Sequence, residues 1–357
     1  MTRRIVICCD GTWNTPDRSN PTNVVKLARS ITPVSSDGTS QIVFYDLGVG
    51  TGPWLDRYTG GALGMGLVKN IEDAYRFLIH NYEPGDDVFL FGFSRGAYTA
   101  RSLAGLIRNV GLLHKTQVDE FQNAFALYRR KDAGPESSEA RAFRNRHARE
   151  IDIHFVGVWD TVGALGIPLG GLRWLTRRKH GFHDVELSRG VKNGFHALAI
   201  DEKRGSFKPS LWMAKKKEGQ VVEQVWFAGA HSDVGGGYYR AGLSDMAFDW
   251  MKEKAEGCGL AFDEEYVESI IHVDHLSGPH DSKKGLFKFT RGYHRILGDA
   301  SGGTEAVHPG IDAKFKAPEM AYRPDNLARY LADPDHRIAV TKWKVPGDDS
   351  EGDAEDE

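Results

Sequence analysis

Cysteine is scarce in this chain: Cys8, Cys9 and Cys258 are all there is among 357 residues. So small and odd a number excludes a disulfide framework and fits a reducing compartment. Adjacent residues of a strand point to opposite faces, so Cys8 and Cys9 make poor joint metal ligands and read as small buried apolar residues. Long hydrophobic runs are lacking as well. No window of about 20 apolar residues occurs, which excludes a membrane-spanning helix. The apolar run Ile5-Val6-Ile7-Cys8-Cys9 stops at Asp10 and reads as a buried first strand, not a signal peptide. A cytoplasmic chain is the expectation.

An excess of one charge is missing too. The net charge is −3, and it turns to +4 without the seven acids between Gly347 and Glu357. Residues 347–357 read as a solvated acidic tail. Basic clusters at Arg129-Arg130-Lys131, Arg141 to Arg149, Arg177-Arg178-Lys179 and Lys215-Lys216-Lys217 form no regular stripe with interleaved aromatics, so they read as solvated faces and not as a nucleic-acid surface. The polar set His272, Asp274, His275, His280 and Asp281 has no recognised ligand spacing, and no metal or cofactor is expected. Gly48-Val49-Gly50-Thr51-Gly52 lacks the spacing of a nucleotide-binding loop.

What is present is an alternation of apolar strands and amphipathic helices. Strands are predicted over 5–9, 41–45, 87–91, 153–159 and 221–228, with helices over 21–31, 67–81, 97–110 and 245–254. This pattern implies a mostly parallel central sheet flanked by helices, an α/β fold. No linker marks a boundary, so 1–346 reads as one catalytic domain, with helical insertions or a lid about 115–150 and 163–185.

The chemistry starts at Gly92-Phe93-Ser94-Arg95-Gly96. The strand Val88 to Phe91 precedes it and the helix opening at Ala97 follows it. Strand, sharp turn and helix are what a nucleophile elbow requires. A turn serine capping the helix is the plainer alternative. Ser94 needs a base, and the base an orienting acid. Two later strands end in candidates: Trp159 is followed by Asp160, and Trp226 to Ala230 by His231. Parallel strands deliver their C-terminal ends to one edge of the sheet, so Ser94, Asp160 and His231 converge by topology. Asp233 is the rival acid and His308 the rival base. For the oxyanion hole, the Arg95 amide is one donor, and Gly11 or Thr12 after the first strand supplies the second.

These blocks resemble a known family. Arg4-Ile5-Val6 with Cys9-Asp10-Gly11-Thr12-Trp13-Asn14, then Gly92 to Ala97, Val158-Trp159-Asp160-Thr161-Val162-Gly163 and Ala230-His231-Ser232-Asp233-Val234-Gly235-Gly236 are similar to the type VI secretion phospholipase-effector catalytic domain, with His308-Pro309 as a weaker fifth block. The resemblance implies an α/β-hydrolase fold, a Ser94–Asp160–His231 triad and ester hydrolysis, with phospholipids as one substrate class. It also implies export through a system that reads no signal peptide. The expected partner is a lipid or small-molecule ester, with peripheral membrane contact through a lid at Gly163 to His183. Alternatives are a small-substrate esterase or thioesterase, and a catalytically silent binding module on the same fold.

Overall fold

A computed structural model describes residues 2–11, 19–48, 60–130, 132–163, 187–213, 217–283, 292–300, 302–318 and 320–344. Among the described residues nine strands run in chain order: β1 (Arg4–Cys9), β2 (Gln41–Asp46), β3 (Asp87–Phe93), β4 (Leu112–Leu113), β5 (Ala148–Arg149), β6 (Ile153–Trp159), β7 (Val191–Ala199), β8 (Val221–Phe227) and β9 (Glu305–Val307). Seven of them form one sheet in the order β2-β1-β3-β6-β7-β8-β9, and every neighbouring pair is parallel. With helices on both faces, this is an α/β-hydrolase-like fold. The short strands β4 and β5 pair antiparallel and clip together the two ends of the excursion between them.

The core explains why β1 reads as a continuous apolar run. A strand in the middle of a parallel sheet is covered on both faces. Ile5, Ile7 and Cys9 enter one core with the helices α2 (Gly60–Asn81) and α3 (Arg95–Val110). Val6 and Cys8 enter the other, with α1 (Asn23–Ser30) and the helix Gly242–Gly257. The two cysteines therefore do face opposite ways, and both are fully buried. On the second face the rings of Phe89, Phe155 and Phe195 link β3, β6 and β7, with centroids 5.6 and 5.2 Å apart. Each such buried ring contributes about 1.5–3 kcal/mol over leaving it in water.

The helices follow their apolar spacing. In α2 the buried residues Ile71, Ala74, Tyr75, Leu78 and Ile79 recur at three and four, the stripe of a helix packed on a sheet. Thr22 accepts a hydrogen bond from the Val25 amide and so caps α1.

Two strands of the seven-stranded sheet depart from expectation. β7 is central, yet it carries Lys192, Asn193, Gly194 and His196, and no apolar alternation announces it. β9 has only three residues. The α2 helix also starts at Gly60, seven positions before the predicted Leu67.

The topology sets the position of the site. From β1 the chain goes outward to β2, then returns to β3 on the other side of β1. Such a reversal opens a crevice at the C-terminal ends of the two strands. Asp10–Gly11 leave β1 there, and Ser94 leaves β3 there.

Candidate active site

Phe93, the last residue of β3, is paired with Trp159 of β6, and the Ser94 amide donates to the Trp159 carbonyl at 3.1 Å. The chain then turns straight into α3. Ser94 makes this turn at φ 59°, ψ −120°, on the left-handed side where a side chain costs roughly 1–3 kcal/mol. The two glycines exist because nothing else fits. A Cβ on Gly96 would lie 2.1 Å from the Cys9 carbonyl oxygen, and one on Gly92 would lie 2.5 Å from the Gly96 carbonyl oxygen. Although Ser94 occupies the N-cap position, its side chain makes no capping hydrogen bond. The hydroxyl is therefore not spent on its own helix, which removes the main reason to read Ser94 as a simple cap.

Asp160 follows Trp159 on the neighbouring strand and is fully buried, also with a positive φ of 39°. Its carboxylate does not turn back to cap Thr161. One oxygen, Oδ1, accepts from the Ala199 amide at 3.0 Å and from Arg295. The other lies 2.6 Å from His231 Nδ1 and accepts from Arg295 Nη2 at 2.9 Å. Burial alone would raise the Asp160 carboxyl; the Arg295 guanidinium and His231 outweigh it and hold the group well below the usual carboxylate range.

His231 opens the short helix His231–Gly235, four residues past the end of β8. Its amide donates to Glu202 Oε2 at 3.2 Å. The ring packs against Phe93, the residue before the serine, at 4.6 Å between centroids, and meets Phe207 edge-on at 4.9 Å. An ionised carboxylate only accepts, so the hydrogen sits on Nδ1 and the basic lone pair on Nε2. Burial pushes the imidazole below its ordinary value, against the opposing pull of Asp160 and Glu202. At neutral pH it is the free base.

The rivals lie elsewhere in the geometry. His308 Nδ1 accepts from the Gly310 amide at 3.2 Å and caps the helix Pro309–Lys316, its ring between Phe227 and Trp343. Burial lowers it to about 3, and it stays neutral. Asp233 receives the Ala230 amide at 2.8 Å and both the amide and the ring of His280, so its carboxylate secures the turn that carries His231. Of the oxyanion candidates, Thr12 lies outside the described residues. The Gly11 amide donates to Asp10 Oδ1 at 2.6 Å, a bond it must release to serve an oxyanion. The Arg95 amide belongs to the first turn of α3, whose N–H groups point out from the helix end toward developing negative charge. The Arg95 guanidinium is lowered to about 10 by burial and stays charged at neutral pH.

Three participants escaped the sequence. Arg295 is wholly buried, yet it stands in a polar stretch where nothing marks it off from a surface arginine. Glu202 belongs to Asp201-Glu202-Lys203-Arg204, which looks like a solvated loop; it is 1% exposed and ion-paired with Arg204. His280 stands in a polar stretch without ligand spacing, yet its amide and its ring both reach Asp233. Among the described residues, no three His, Cys, Asp or Glu side chains are placed to hold a metal ion. None of their helices is long and apolar enough to cross a membrane. The expected lid, Gly163 to His183, falls outside the described residues beyond Gly163.

Residues 3–254 match the family model of the type VI secretion system phospholipase effector Tle1-like catalytic domain. An uncharacterized protein of Saccharomyces cerevisiae, YEL023C, is 31% identical over 229 residues, 58% of this chain and 32% of that protein. Similar solved structures include an uncharacterized protein from Pseudomonas aeruginosa, with TM-score 0.44 and 20% identity over 77% of this chain and 49% of that one. The Tle1 effector bound to the VgrG spike has TM-score 0.41 and 21% identity over 67% and 51%. An esterase from Thermogutta terrifontis has TM-score 0.34 and 14% identity over 76% and 82%. The chain thus spans about a third of the yeast relative and about half of the first two structures.

Proposed function

The chain belongs to the Tle1-like catalytic domain family of type VI secretion phospholipase effectors, and from that premise we propose that it is a serine esterase cleaving lipid esters through an acyl-enzyme on Ser94. The observation that carries the reading is a strained serine with an uncommitted hydroxyl beside a buried Asp160–His231 pair on the same sheet edge. Nε2 of His231 takes the Ser94 proton as Oγ attacks the ester carbonyl. Asp160 holds the imidazole by Nδ1 and stabilises the imidazolium that forms. The oxyanion is met by the Arg95 amide and by the loop at Gly11 and Thr12. The imidazolium then protonates the leaving alcohol, and water, activated by the same histidine, releases the acid.

On this reading residues 1–346 act as one catalytic unit, and the sequence from Gly163 to His183 is suited to contact with lipid. Apolar Leu172, Trp174 and Leu175 lie there beside Arg173, Arg177, Arg178 and Lys179. The family supports a lipid substrate and delivery into another cell; the Tle1 structure supports a protein carrier as partner.

The test is hydrolysis of an ester panel of rising acyl length, as monomers and as phospholipid vesicles, by the wild type and Ser94→Ala. We expect activity to rise on the aggregated lipid and to fall roughly 10⁴-fold or more in Ser94→Ala. Preference for short monomeric esters or thioesters would move the substrate class. No turnover on any member would mark a silent binding module.

A further inference from the structure

Resting on the triad read above, we propose that Arg295, contributed by the segment beyond the family match, is a positioning residue that keeps the Asp160–His231 pair proton-poor and aligned. The geometry is unusually complete. Arg295 is about as buried as a residue can be, at 1% exposure, and all four hydrogens of its two terminal nitrogens are placed. Nη1 donates to Asp160 Oδ1 and, at 2.8 Å, to the Ala199 carbonyl; Nη2 donates to Asp160 Oδ2 at 2.9 Å and to the Phe207 carbonyl at 2.8 Å. An end-on bidentate clasp of this kind fixes the plane of a carboxylate as well as its charge. Each Asp160 oxygen is thereby shared. Oδ1 is divided between Arg295 and the Ala199 amide, Oδ2 between Arg295 and His231.

Charge decides why this matters. Taking a carboxylate out of water is costly, and His231 is itself neutral. Without Arg295 the buried pair would carry an uncompensated negative charge, and it would relieve this by binding a proton. That proton would occupy the lone pair on which Ser94 depends. The other ionisable groups around the pair do not replace the arginine. Glu202 faces His231 from the loop after β7, and its negative charge is offset by Arg204. His196, behind Thr161, is buried and held neutral, its value lowered to about 3 by burial and by nearby Arg101. Asp233, on the turn of His231, is closed off by His280. Among the described residues Arg295 is the arginine or lysine that touches Asp160.

The segment around Arg295 is built to hold it. Asn326 donates to the Arg295 carbonyl at 3.2 Å and to the Ile200 carbonyl at 3.1 Å, and Tyr322 donates to Asp201 at 2.8 Å. Residues past 254 therefore fasten the loop after β7, in addition to supplying the guanidinium.

The experiment is the titration of the His231 ring by NMR in the full chain, alongside the pH profile of Ser94 labelling by a fluorophosphonate, for wild type, Arg295→Gln and Arg295→Lys. A cation within contact distance shifts a neighbouring titration by about 1–3 pH units. We expect Arg295→Gln to move the proton-binding midpoint of the pair, and the acid limb of labelling, upward by about one unit or more. Arg295→Lys keeps the charge but not the bidentate clasp. It should leave the midpoint near that of the wild type while slowing labelling at every pH. A uniform loss of labelling in Arg295→Gln with an unmoved midpoint would overturn the proposal, as would an equal shift in Arg295→Lys. Should Arg295→Gln not fold, the midpoint of Arg295→Lys still decides against the proposal if it rises by a unit. A wild type that is never labelled at Ser94 would sink the hydrolase reading alone, because the His231 titration is read without turnover.

Discussion

The chain up to about residue 254 and the segment after it build the same site by different means. The first part is regular. Parallel strands β3, β6 and β8 bring Ser94, Asp160 and His231 to one edge because strand direction and pairing leave them nowhere else to go. The later segment has one three-residue strand in the sheet and short helices such as Pro309–Lys316 and Asp325–Leu331. It nevertheless delivers Arg295 to Asp160, Tyr322 to Asp201 and His280 to Asp233. On the proposed reading, periodic structure places the atoms that react, and irregular structure sets their charge and holds the loops on which they sit. A strand end fixes position cheaply, whereas a buried ion pair requires a partner at one particular point, which a loop can reach from anywhere.

Three perturbations test that division, in order of expected size. Two buried histidines, His231 and His308, come from the two regions and should separate cleanly. His231→Ala should lower kcat by roughly 10³-fold or more with little loss of fold, as for a general base. His308→Ala should instead lower stability by about 2–4 kcal/mol, through a cavity and a lost helix cap, and keep kcat per folded molecule. Steady-state kinetics and thermal melts of both variants give the comparison, and a larger kcat loss in His308→Ala would reverse their roles. Next, Gly96→Ala forces a methyl group onto the β1 backbone, so α3 must lift away from the sheet. Loss of both activity and melting temperature is expected; a variant with normal kcat would mean that the elbow tolerates displacement. The smallest effect belongs to Tyr322→Phe. It removes one hydrogen bond to a buried carboxylate, about 1–2 kcal/mol of stability, and should change kcat less than twofold. A tenfold kcat loss would show that the fastening segment acts on the chemistry more directly.

The same contrast explains what could be read before the structure. Ile5 to Cys9 and Val88 to Phe91 announce themselves because a doubly covered strand must be apolar at every position. The elbow announces itself because only glycine leaves room beside Ser94. β7 stayed hidden: its Asn193 bonds the His154 carbonyl and its His196 accepts the Thr161 amide, so polar residues find partners inside the sheet and spoil the pattern. Arg295 stayed hidden for a deeper reason. Its burial is made tolerable by a carboxylate 135 positions away, a pairing that no local spacing encodes.

Proton inventory adds a check on the base. His231 is lowered from the ordinary histidine value by burial. The base works only when neutral, so activity should be full above the lowered value and fall as pH drops through it. The acid limb of kcat/KM is therefore expected below about pH 6.5, the unperturbed value. A limb well above 6.5 would mean that Asp160 dominates over desolvation.

The central claim is that Ser94 becomes covalently acylated with His231 as its base. Intact-mass and peptide mass spectrometry after exposure to a fluorophosphonate test it most directly. The account predicts a single adduct on Ser94 in the wild type, none in Ser94→Ala, and labelling slowed by orders of magnitude in His231→Ala. An adduct on another residue, or labelling of Ser94→Ala at the wild-type rate, would contradict it.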